Sequence, residues 1–168
     1  MGTSLESNQA PTERAQEPNG IGGWLTFFVL SAILLGPIFA VLGTFSSFAQ
    51  AERMNAALAD YPTWSAYKQA GWILVGLRVC MSVGAGLMLI DRKIPVSVTL
   101  TKWVLWIGGP LFSLMDVFVL VPHVLGVSVP PDQMAQSMGG VIASAITAGA
   151  WHAYFSRSKR VRNTYYPS

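Results

Sequence analysis

The chain has 168 residues, which is room for one ordinary domain and too few for two independent soluble ones. Charged residues make up 11% of it, against roughly 25% in soluble domains, while apolar residues reach 52% and mean hydropathy is +0.44. That balance excludes an ordinary water-soluble enzyme and fits a membrane protein. The net charge of +3 and pI near 9.2 would suggest a nucleic-acid partner if the basic residues covered a folded surface, but they cluster at the ends of apolar blocks instead. No nucleic acid is therefore expected.

Residues 1–19 are polar and contain Pro11 and Pro18, so they read as a disordered tail. They lack the basic start and short apolar core of a cleavable signal peptide, and Glu6 stands where a myristoylation signal needs Ser or Thr.

Four apolar blocks follow, at about 23–48, 71–90, 100–121 and 138–156. A bilayer core of about 30 Å takes about 20 residues of helix, so the expected fold is all-α: a four-helix transmembrane domain over 20–165. Strands with open edges would leave backbone groups unpaired in lipid.

The connections set the expected orientation. Glu52, Arg53, Asp60 and Lys68 cancel in the first loop; Arg92, Lys93 and Lys102 make the second basic; and the third has no Lys or Arg. The tail over 157–168 holds Arg157, Lys159, Arg160 and Arg162. Positive-inside counting places the second loop and both termini in the cytoplasm, with the basic tail against anionic headgroups. Trp24, Trp72, Trp103, Trp106, Trp151 and Tyr154 fall near span ends, as interfacial aromatics do. Tyr61, Trp64 and Tyr67 either lie along the outer interface or belong to an exposed loop.

The first and third spans share a pattern, GPIFAVLGTF from Gly36 and GPLFSLMDVF from Gly109, consistent with a tandem duplication of a helical hairpin or with chance. Pro37 and Pro110 each remove a backbone donor in mid-helix, so both helices are expected to kink and to free carbonyls that need new partners. Gly76, Cys80 and Gly84 recur at every fourth residue, as do Gly140, Ser144 and Ala148. Such small-residue faces allow close helix contacts, within one chain or across a dimer. Cys80, the single cysteine, permits no intrachain disulfide and is expected simply to pack.

Few ionisable residues lie within the spans. Counted from the expected span ends, Arg78 is about 10 Å and Asp116 about 8 Å below the outer surface. Opposite charges at matching depth on consecutive helices suggest an ion pair, serving either helix register or a functional site. The two histidines, His123 and His152, are expected on opposite sides, so no metal site is expected. The chain has no G-x-S-x-G, phosphate-binding G-x-x-x-x-G-K or H-E-x-x-H, and GIGG at Gly20 follows no strand. No catalytic residue or cofactor is expected.

Two motifs close the reading: GIGGWL (Gly20, Gly22, Gly23, Trp24, Leu25) and YFSRSKRVRNTY (Tyr154, Phe155, Ser158, Arg160, Val161, Thr164, Tyr165). With four spans and a proline in the first, the chain resembles the domain-of-unknown-function 2569 family of small bacterial inner-membrane proteins. The resemblance implies location and architecture but no reaction. It also implies that Ser158, Arg160 and Thr164 are motif positions and not merely topological charge, with the two ends packing together around a headgroup or a partner segment. The expected function is a non-enzymatic accessory or interaction protein, with a membrane protein partner or a homo-oligomer. The alternative is a small oligomeric transporter using Arg78 and Asp116.

Overall fold

The computed structural model describes residues 20, 22–128 and 131–166; the tail expected over 1–19 lies outside them. Among the described residues there are five helices and no strand: α1 Trp24–Met54, α2 Pro62–Asp91, α3 Pro95–Leu125, α4 Pro131–Arg157 and α5 Lys159–Tyr165. Pro62 and Pro95 open α2 and α3, where a fixed φ suits the first turn and the missing N–H has no intrahelical partner to lose. A 3₁₀ turn, Ala56–Asp60, joins α1 to α2, and Gly126, left-handed at φ 70°, ends α3.

Three of these helices, α1, α2 and α3, are long and apolar enough to cross a membrane. Their outward faces carry large apolar side chains such as Phe39, Leu42, Ile73, Leu77 and Phe118, which suit lipid and would be a liability in water. The fourth expected span lies within α4, a 27-residue helix whose apolar residues are diluted by Gly, Ser, Gln and His, and it is not among the three. Helix α1 packs on α2, α2 on α3, and α3 on α4. At the end bearing the chain termini, α1 meets α4 through Phe28, whose ring centroid lies 4.8 Å from that of Trp151 and 4.9 Å from that of Phe155.

The helices overrun the expected spans, and this moves one residue that matters. Helix α2 begins at Pro62 and not near residue 71. Arg78 therefore lies about 24 Å along the axis from one end of α2 and about 20 Å from the other, near the middle of the helix.

Both Gly-Pro pairs fall at π-helical turns. The first turn, Ser31–Leu35, immediately precedes Gly36 and Pro37; the second, Ile107–Leu111, contains Gly109 and Pro110. In the first, the Gly36 N–H reaches back five residues to the Ser31 carbonyl. Continuing that pattern would aim Pro37, which has no N–H, at the Ala32 carbonyl. That carbonyl instead accepts the Ser82 hydroxyl of α2 at 2.7 Å, so a neighbouring helix supplies the lost donor.

The close helix contacts are not made by the two stripes read from the sequence. On α2, a Cβ at Gly76 or Gly84 would meet nothing within 4 Å, and Cys80 is exposed, not packed. The tight position on α2 is Gly86, where a Cβ would fall 2.5 Å from Ile33 Cγ1 on the π turn of α1. On α4, Ala148 is buried and Ser144 lies against Gly109 of α3, whereas a Cβ at Gly140 would meet nothing within 4 Å.

Candidate functional site

Among the described residues, two of the cavities between the helices stand out, each partly open to the outside. The first, about 350 Å³, lies between all four long helices and is lined by the hydroxyls of Ser31, Ser82, Thr101, Ser144 and Thr147 together with apolar side chains. The second, about 340 Å³, lies between α1, α2 and α3 and is lined by Thr44, Ser47, Tyr67, Ser113 and Asp116. Arg78 is on the wall of both.

Arg78 and Asp116 thus share a cavity but do not form the expected ion pair. The ion pair among the described residues joins Lys68 to Glu52 at 2.6 Å. Asp116 Oδ1 instead accepts the Tyr67 hydroxyl at 3.0 Å, binding α2 to α3. The physical reason is that Tyr67 is part of α2, about three turns before Arg78, and reaches the carboxylate directly.

The end of the bundle away from the termini is closed by an aromatic and charged cluster. Trp64 is buried and stacks on Tyr67 with ring centroids 5.5 Å apart, and Phe48 of α1 meets both rings edge-on. Glu52 accepts from Trp64 Nε1 at 2.8 Å as well as from Lys68. Trp64 and Tyr67 therefore face inward from the first turns of α2, which is neither an interfacial segment nor an exposed loop. Tyr61 alone of the three aromatics is largely exposed, before α2 begins.

At the opposite end the two sequence motifs are in contact. The Gly20 N–H donates to Thr164 Oγ1 at 2.9 Å, and the Thr164 hydroxyl also donates to the Arg160 carbonyl at 2.7 Å. The Arg160 guanidinium crosses Gly22 so closely that a Cβ there would overlap it. Gly23 takes φ 57° and ψ −131°, a conformation suited to glycine, immediately before α1. Ser158 caps α5, its Oγ accepting from the Val161 N–H at 3.4 Å.

Val161 and Tyr165 are fully buried with Leu25, Leu89 and Val98, and the Tyr165 hydroxyl donates to the Leu89 carbonyl at 2.7 Å. Burial, and then the nearby Tyr154, pushes the Tyr165 phenol up to about 12. Tyr154 packs edge-on to Trp151 and Phe155, whereas Trp24 is 68% exposed and meets Phe27 edge-on with ring centroids 5.8 Å apart.

The histidines are separate. His152 Nδ1 faces Trp106 Nε1 at 3.4 Å, and His123 Nδ1 lies 3.1 Å from the Val119 carbonyl. No cluster of three His, Cys, Asp or Glu residues occurs among the described residues. The sequence reading missed Tyr67, Ser82 and the Glu52–Lys68–Trp64 cluster. The available signal was Pro62, a helix-start residue that adds Trp64, Tyr67 and Lys68 to α2.

A helical bundle with lipid-suited outer faces, a mainly apolar interior set with hydroxyls and motifs tied together at one end defines an integral membrane protein. The chain matches the family described as "Protein of unknown function (DUF2569)" over residues 18–166 and belongs to it. No curated protein and no solved structure matches the chain.

Proposed function

We propose that the protein is a four-span, non-enzymatic protein of a bacterial inner membrane, with both termini in the cytoplasm, whose interior binds and passes a small solute. The carrying observation is Arg78: a mid-helix cation that has no carboxylate partner among the described residues, on the wall of two cavities. Gly-Pro π turns in α1 and α3 flank the same space, in keeping with two tandem hairpins that can shift against each other. The orientation draws on Arg92, Lys93, Lys102 and the basic residues of α5, which also suit anionic headgroups.

Proteoliposomes carrying the full chain should show saturable uptake from a panel of labelled small anions, neutral sugars and amino acids, and Arg78→Gln should abolish it. Absence of uptake across the panel counts against transport. A reporter active only outside the cytoplasm, fused after Ser168, should stay silent.

A second reading, an accessory subunit or homo-oligomer, is favoured by the face of α2 around Gly76, Cys80 and Gly84, where a Cβ at either glycine would meet nothing within 4 Å among the described residues and Cys80 is exposed. Stable co-purification of a larger membrane complex, lost on Gly76→Leu, supports that reading.

A further inference from the structure

We propose that Arg78 is the recognition group for an organic monoanion, a carboxylate or sulfonate with an apolar body, held between the two interior cavities. The inference rests on the solute-binding reading above and names its substrate class.

A guanidinium does not deprotonate in a protein, so near the middle of a membrane helix it needs a counter-charge. Two carboxylates of the same bundle are engaged elsewhere. Asp116, across the same cavity, accepts from Tyr67, and Glu52 is held by Lys68 and Trp64. Arg78 makes no side-chain hydrogen bond or ion pair to another described residue, and it opens on cavities of about 350 and 340 Å³. Such volumes fall at the small end of those that hold ligands.

The remaining walls specify the rest of the molecule. Ser82, Ser144 and Thr147 already donate their hydroxyls to backbone carbonyls, which leaves Ser31 as the wall hydroxyl able to donate to an oxyanion, while Phe28, Leu105 and Trp151 offer apolar surface for a ring or short chain. One cation with Asp116 nearby favours a single negative charge over two. A lipid headgroup stays outside a hydrocarbon core about 30 Å thick, about 15 Å from its middle, so the anion is taken to be a separate solute.

Tyr67 acts as a positioning residue. Its hydroxyl holds the Asp116 carboxylate, which, once released, competes with the ligand for Arg78.

The test is calorimetric titration of the purified full chain with benzenesulfonate, ionised at every accessible pH, and with benzenesulfonamide, its neutral counterpart. Benzenesulfonate should bind and the sulfonamide should not. Arg78→Gln should weaken binding by about tenfold or more, the value of a charged hydrogen bond. Arg78→Lys should retain part of it, and Tyr67→Phe should weaken it with Arg78 intact.

Equal binding of both probes overturns the anion assignment and leaves the solute-binding reading standing. Binding of neither also overturns it, and the uptake panel then decides the broader reading separately. Sulfonate binding unchanged in a folded Arg78→Gln protein likewise overturns it.

Discussion

Ser82 of α2 donates its hydroxyl to the Ala32 carbonyl of α1 at 2.7 Å, across the turn where Pro37 leaves the helix one donor short. A side chain on one helix thereby completes the backbone of another, where lipid offers no water to do so. Ser82→Ala should destabilise the protein by about 0.5–2 kcal/mol. On a Pro37→Ala background, where the backbone N–H is restored, the same change should cost less. Detergent melts of the four proteins measure the difference; equal costs would show that the hydroxyl is not repairing the proline break.

Tyr67 and Asp116 should be energetically coupled, and Arg78 and Asp116 should not. In a double-mutant cycle, Tyr67→Phe with Asp116→Asn should show an interaction of about 0.5–2 kcal/mol. Arg78→Gln with Asp116→Asn should be close to additive. Thermal melts of the two cycles rank the pairs, and a larger coupling for Arg78 and Asp116 would restore the ion pair expected from sequence.

The contact between the chain's ends should be sensitive to shape as well as charge. Gly22→Ala places a methyl on the Arg160 guanidinium, and the steric cost should fall when Arg160→Ala is added. Arg160→Lys keeps the charge and loses the planar group that crosses Gly22. Cleavage of the N-terminal segment by added protease should speed up in Gly22→Ala and, less strongly, in Arg160→Lys. Unchanged cleavage in both would reduce the motif to membrane topology.

The Tyr165 hydroxyl makes the same end pH-sensitive on the alkaline side. Its folded value, pushed up to about 12, stands above the ordinary 10.0. The stabilisation it provides is therefore complete below about pH 10 and is lost as pH rises towards 12. Tyr165→Phe removes the donor to Leu89 and should be less stable near neutrality, with a flatter decline over that range. Melting temperatures measured across it for both proteins make the comparison.

The sequence is legible where physics is local. Apolar blocks mark α1 to α3 because crossing lipid demands them, and the motifs at the two ends foretell the Gly20 to Thr164 contact. What it hides depends on phase and partners. Lys68 reads as a loop charge, yet it is neutralised by Glu52 and belongs to α2; this lengthens the helix and places Arg78 deeper than its apolar block suggests. The stripe at Gly76 and Gly84 has the right spacing for close packing, but spacing cannot say which face turns inward, and the tight position proves to be Gly86. The pairing of Tyr67 with Asp116 joins residues 49 apart in sequence and carries no local signal.

The π turn at Ser31–Leu35 also changes what α1 can face. Taking up one extra residue without extending a regular helix rotates everything beyond it by about 100° relative to an unbroken α-helix. Before the turn, Phe28 points to Trp151 and Phe155 of α4; after it, Phe48 points to Trp64, Tyr67 and Trp72 of α2. The turn works as a phase adapter that lets one rod serve two neighbours along its length. Its register is a count of residues: with all five of Ser31–Leu35 in regular α-helix the far half of α1 would turn away from α2, whereas deleting one of them would let a regular helix keep Phe48 towards Trp64 and Tyr67.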